Sequence, residues 1–186
     1  MFLLYALAAG LLLGLLLGGS LAGIGGLRFR WAGLAVGGFA IQVVLFAPPV
    51  AASVGDLGTP IYLASTLLVV AAVLGNVRQL PALWLVAVGA AANLAAIVAN
   101  GGGMPALPSA LEAAGRTGST AYSNSILAPD PILPALVDRF AIPAGIPFAN
   151  VFSIGDVLIG LGVAAVLIVA MRRRPTVLPA RSGDGA

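Results

Sequence analysis

The chain of 186 residues contains no cysteine, no histidine and no lysine. Without cysteine there is no disulfide framework, no thiolate nucleophile and no iron–sulfur ligation. Without histidine there is no ordinary zinc, copper or haem site and no imidazole base. Without lysine there is no Schiff-base chemistry, a retinal linkage included. The palette that remains is carboxylate, hydroxyl, amide and arginine, so no cofactor and no metal are expected. Charge is scarce too, at 8% of residues, where a soluble domain carries roughly 25%.

What fills the sequence instead is apolar: 60% of residues are hydrophobic and the mean hydropathy is +1.10. Five runs, at about 2–21, 31–47, 60–76, 81–99 and 154–171, approach the roughly 20 residues that a helix needs to cross a bilayer. The expected fold class is therefore all-α. It is a polytopic transmembrane bundle over residues 1–171, with an external loop at 101–148 carrying short interfacial helices, and a disordered cytoplasmic tail at 172–186. The net charge of +3 and the pI near 10.2 do not point to nucleic acid. Four of the nine arginines follow Met171, and no basic face with interleaved aromatics exists.

The arginines report orientation. Arg28 and Arg30, then Arg78, then Arg172 to Arg174, fall in alternate loops. Five crossings with those loops in the cytoplasm satisfy the positive-inside rule throughout. The N-terminus, the Asp56 loop and residues 101–148 are then external, and the C-terminus is cytoplasmic. The partner that this implies is the lipid bilayer. A second is a membrane protein reached through the Gly10, Gly14, Gly18 face of the first helix, since small residues four apart let another helix approach closely.

Local signals place the helix ends. Thr59 with Pro60 reads as the start of the third helix. In the external loop, Ser109 with Glu112 spells a capping box, Gly115 a stop, and Asp130-Pro131 the start of a second short helix towards Arg139. Asn100-Gly101-Gly102-Gly103 could turn the chain or form a backbone nest for an anion.

The candidate catalytic residues are Asp138 and Asp156. Asp156 sits beside the fifth span, where an ionisable group is a functional candidate by default. Equally, Ser153-Ile154-Gly155-Asp156 spells a capping box with Asp156 at N3. Asp138 lies eighteen positions earlier and could fold back over the start of that helix. Two adjacent carboxylates would share a proton, as in an aspartic dyad. The alternative is an Asp138 paired with Arg139 or Arg116 on a wet surface. The candidate ligand-binding residues are Gln42, Asn93, Asn100, Asn150 and Arg139: four amides in or beside apolar runs, and one external cation. The amides could equally be interhelical glue, at about 1 kcal/mol each.

The string at 100–105 (Asn-Gly-Gly-Gly-Met-Pro) and the stretch 152–162 (Phe-Ser-Ile-Gly-Asp-Val-Leu-Ile-Gly-Leu-Gly) resemble an uncharacterised family of five-helix bacterial membrane proteins. That resemblance implies a bacterial inner membrane and no activity. A more local one joins Val137-Asp138-Arg139-Phe140 and 149–156 (Ala-Asn-Val-Phe-Ser-Ile-Gly-Asp) to the C-terminal motifs of lipoprotein signal peptidases. It implies Asp138 and Asp156 as the dyad and Asn150 as the motif amide. The peptidases' Gly-Asn-x-x-Asp-Arg motif is absent, since Asn93 is followed by no Asp-Arg pair.

Three functions follow as expectations. The first is a non-enzymatic membrane component that packs with a partner or binds a lipid or apolar ligand. The second is an intramembrane aspartyl hydrolase. The third is a binding protein or carrier with a pocket among the second, fourth and fifth helices, lined by Gln42 and Asn93.

Overall fold

The computed structural model describes residues 2–116 and 125–173. Five apolar helices make up half of it: α1 (Phe2–Leu16), α3 (Ala32–Leu45), α5 (Gly58–Leu74), α6 (Leu83–Ala99) and α8 (Ile154–Arg172). Single turns α2 (Ala22–Gly25) and α4 (Pro48–Ala51) and a short helix α7 (Pro108–Ala113) lie between them. Two segments, Gly55–Leu74 and Ile154–Arg172, are long and apolar enough to cross a membrane; the other three apolar helices are shorter. The expected tail lies outside the described residues apart from Arg172, which ends α8, and Arg173.

The helices form a row. α1 packs on α8, α8 on α6, α6 on α5 and α5 on α3, so α1 and α3 are its two ends. Glycines set the closest approaches. A Cβ on Gly10 would stand 2.7 Å from the Ala164 backbone, and one on Gly14 would strike the Met171 side chain, both in α8. The small-residue face of α1 is therefore closed against α8 at Gly10 and Gly14, while Gly18 (φ +77°) turns the chain with open space around it. The α6–α8 contact is made the same way by Gly89, Gly155 and Gly162.

At the end of the helices bearing Arg28, Arg30 and Arg78, a core of Val73, Val77, Leu80, Leu83, Val86 and Ala87 forms beneath Leu27 and Phe29. One buried amide ties it together. Asn76 accepts from Arg30 N (2.7 Å) and Gln79 Nε2 (2.6 Å), and donates to the carbonyls of Arg30 and Ala72 (both 2.7 Å). Asn76→Leu strands those groups in an apolar core, where each unsatisfied one costs about 1–3 kcal/mol. The expected loss is about 3 kcal/mol, read as a lower midpoint in thermal melts followed by the fluorescence of Trp31, whose ring packs on Gly75.

The other end carries a cap that is not helical, so the fold is not purely all-α. Strand β1 (Met104–Ala106) pairs in parallel with β2 (Ser125–Leu127), and β3 (Phe140–Ile142) pairs antiparallel with β4 (Asn150–Phe152). The expected helix from Asp130 towards Arg139 does not form. Pro134 has no N–H to give the Asp130 carbonyl, the first bond such a helix would make, and Leu133 is left-handed at φ +58°. Instead Asp138 bridges to Ala106 on the free side of β1. α7 begins on Pro108 with Leu107 as a cap that makes no side-chain bond, so the Ser109–Glu112 box is not made. Gly115 (φ +66°) does turn the chain after α7. α5 begins at Gly58, which puts Thr59 within its first turn rather than ahead of it.

The glycine run after α6 turns the chain and forms no nest. Gly101 N–H and Gly102 N–H return to the carbonyls of Val98 (3.4 Å) and Ile97 (2.8 Å), with φ +80° and +99°. This is a Schellman closure, and it leaves neither amide for an anion. Asn100 then clamps the cap to α6. It accepts from Ile132 N (2.8 Å) and donates to the carbonyls of Ile132 (2.9 Å) and Ala96 (2.7 Å).

Candidate functional site

Where α8 begins, Ser153 takes extended backbone and caps it. Its Oγ accepts from Asp156 N (3.0 Å), and the Asp156 carboxylate accepts from Ser153 N (3.0 Å). The capping box read from the sequence is thus present. Its two side chains do more than cap. Ser153 Oγ donates to Asn93 Oδ1 (2.8 Å), and Asn93 Nδ2 donates to Asp156 Oδ1 (2.9 Å). Asn93 belongs to α6, so this cluster locks α6 to α8 at the level of the cap. Gly155 makes room for it: a Cβ there would overlap the Asn93 amide.

Asp138 arrives from the other side. Its backbone N–H donates to Pro105 O (2.9 Å) and its carbonyl accepts from Leu107 N (3.0 Å), which seats it against β1. Its side chain points inward and is only 3% exposed. The carboxylate accepts from Ser125 Oγ at 2.8 Å. Burial raises its pKa from 3.8 to about 7; the Ser125 bond opposes that shift, the negative charge of Asp156 adds to it, and Arg116 opposes it. A wet-surface Asp138 paired with Arg139 or Arg116 is therefore not what forms.

Both carboxylates line one cavity of about 620 Å³. Gln42, Asn93, Asn150 and Arg116 join them in its wall. Gln42 donates weakly to Thr66 Oγ1 (3.3 Å), and Arg116 donates to Asn150 Oδ1. The apolar wall comes largely from the two ends of the helix row: Phe2, Leu3 and Leu4 of α1, and Phe39, Val43 and Phe46 at the end of α3. Ring pairs stiffen both sides. Phe2 stacks on Phe152 at 4.5 Å between centroids, and Phe46 meets Tyr62 edge-on at 5.3 Å.

Of the residues singled out in the sequence, Gln42, Asn93, Asp138, Asn150 and Asp156 line the cavity. Asn100 does not; its amide holds Ile132. Arg139 does not either; it is exposed beside the Phe140 ring. Sequence reasoning missed Ser125 as the partner of Asp138, and Phe2 with Phe152 as a wall. A hydroxyl thirteen positions from its acid carries no periodic signal that could have found it. Among the described residues no group of three His, Cys, Asp or Glu side chains could hold a metal.

No curated protein and no solved structure matches the chain. One family model does, over residues 26–168, which takes in α3 to α7, all of the cap and α8 up to residue 168. The chain belongs to that family, DUF5317, a family of unknown function.

Proposed function

We propose that this is a bacterial inner-membrane protein, multi-pass and non-enzymatic, that holds an amphipathic molecule such as a lipid in the cavity between α1 and α3. Five crossings put the N-terminus outside and the C-terminus in the cytoplasm. Support for that orientation is the arginine pattern, with Arg28, Arg30, Arg78 and Arg172 to Arg174 in alternate connections. Support for burial in lipid is the exposed apolar surface of α1 and α3, where Leu12, Leu16, Val36 and Val44 stand outward. Short helices such as α3 are accommodated by local thinning of the bilayer.

The observation that carries the ligand reading is the cavity itself. At about 620 Å³ it lies within the roughly 300–1,000 Å³ of ligand sites. Its polar groups gather at the cap, and its apolar wall comes from the helices at the two ends of the row. An amphiphile entering from the outer leaflet would leave its tail beside Leu4 and Val43 and bring its head to Asn93 and the two carboxylates. Filling the space tests this. Ala47→Trp places an indole in the lining. Native mass spectrometry from mild detergent should find an amphiphile retained by the unaltered chain and lost from the variant, with both folded. Equal retention, or none by the unaltered chain, would contradict the reading.

A second reading is an aspartyl hydrolase resembling lipoprotein signal peptidases. The observation that favours it is that Asp138 and Asp156 share the cavity and that one feels the other's charge. One carboxylate would take a proton from water as the hydroxyl adds to an amide carbonyl. The other, protonated, would give its proton to the departing amine as the C–N bond breaks. Turnover of a cavity-bound peptide that stops in both Asp138→Asn and Asp156→Asn would favour this reading over simple binding.

A further inference from the structure

Among the described residues, the cavity wall carries two carboxylates and one guanidinium, charges that complement a zwitterionic head group. Two carboxylates, Asp138 and Asp156, lie in the wall, and the side-chain and backbone donors that bond them are neutral among the described residues. Ser125 Oγ serves Asp138, while Asn93 Nδ2 and Ser153 N–H serve Asp156. Each carboxylate oxygen can accept more than one hydrogen bond, so the pair retains capacity for a further donor. Buried negative charge without a cation in contact is costly, and a ligand cation offsets that cost where water cannot. The one side-chain cation among the described residues of the same wall, Arg116, is exposed and held by Asn150. Its planar fork suits phosphate oxygens. A primary ammonium can donate to these carboxylates, whereas a quaternary one has no N–H to give.

We infer that the cavity takes a zwitterionic amphiphile, with an N–H-bearing ammonium between Asp138 and Asp156 and its phosphate at Arg116. This rests on the binding reading above and names its ligand class. The ammonium supplies three donors to the carboxylates, and the apolar tail follows the α1 and α3 wall. An aminophospholipid and free phosphoethanolamine share that head chemistry, and only the first has the tail.

The test uses the full chain in a nonionic detergent and measures thermal stabilisation by four probes: lysophosphatidylethanolamine, lysophosphatidylcholine, lysophosphatidylglycerol and free phosphoethanolamine. The ethanolamine lysolipid should bind roughly tenfold or more tighter than the other two lysolipids, the size of one charge-assisted hydrogen bond. Free phosphoethanolamine should be far weaker than the lysolipid. Asp138→Asn should erase the preference for ethanolamine over choline, and Arg116→Gln should weaken all three lysolipids together. Arg116 is exposed, so that variant folds. Equal affinity for the three lysolipids would overturn the head-group assignment and leave the binding reading standing. No stabilisation by any of them would overturn both, and phosphoethanolamine binding as well as its lysolipid would overturn the role of the tail.

Discussion

Asp138→Asn is expected to raise the melting temperature near pH 8 by about 10 °C and to leave it nearly unchanged near pH 4. The reason is where the carboxyl sits. Folding moves its pKa up from 3.8 to about 7, chiefly because the group is buried. A raised carboxyl binds its proton more tightly in the folded chain than in the unfolded one. Below pH 3.8 both states are protonated, and the group does not affect stability. Between 3.8 and about 7 the unfolded chain releases its proton while the folded chain keeps it. Each pH unit in that window therefore lowers stability by about 1.4 kcal/mol. Above the window the deficit is constant, on the order of 4 kcal/mol. An amide in that place carries no such deficit and can still accept from Ser125. Melting the two proteins side by side across the window should show their midpoints separating as pH rises. A gap independent of pH would mean that Asp138 is not a buried acid.

This outcome bears on function as much as on stability. A position where the neutral isostere is more stable is one where the native acid is retained at a thermodynamic cost, as at sites where stability is traded for activity. Asp138→Asn should therefore be the better-folded protein and the poorer one at binding an ammonium head or at hydrolysis. A variant that gains stability and keeps every cellular phenotype would place Asp138 outside any function.

Gly155→Ala is expected to lose about 3 kcal/mol although it replaces glycine within a helix, a change that alone gains up to about 1 kcal/mol. The added methyl would overlap the Asn93 amide and press on the Gly89 carbonyl at 2.7 Å. One of these is α6 backbone, which moves only if the α6–α8 contact opens. The other is the amide that joins Ser153 to Asp156, so relief of the clash also breaks a buried hydrogen bond. Gly37→Ala is the matched control, with nothing within 4 Å of its Cβ in α3. It should be neutral or slightly stabilising. In Asn93→Ala the amide is gone, and Gly155→Ala should then cost less than it does alone, a coupling that a double-mutant cycle measures. Additive losses would show that Gly155 and Asn93 do not share one contact.

The helices and the cap of α8 were legible because their causes are local. Apolar runs bounded by arginine, proline and glycine mark the stretches where α1, α3, α5, α6 and α8 form, although α1 ends at Leu16 and not near 21, and Ser153 with Asp156 announced its own box through a fixed spacing of three. The cap was not legible, because its strands are three residues long and its pairings join β1 to chain twenty or more positions away. No periodicity reports such a pairing. Asp130-Pro131 looked like a helix start, and only Pro134 hinted otherwise; the left-handed Leu133 shows only in the fold.

What the sequence determined by itself was the thin chemical palette, the greasy helices and which few polar groups could matter. The burial of Asp138, its Ser125 partner and the cavity it shares with Asp156 were decided by tertiary structure. Burial and electrostatic coupling depend on distances across the fold, and chain order does not encode those distances until the helices have packed.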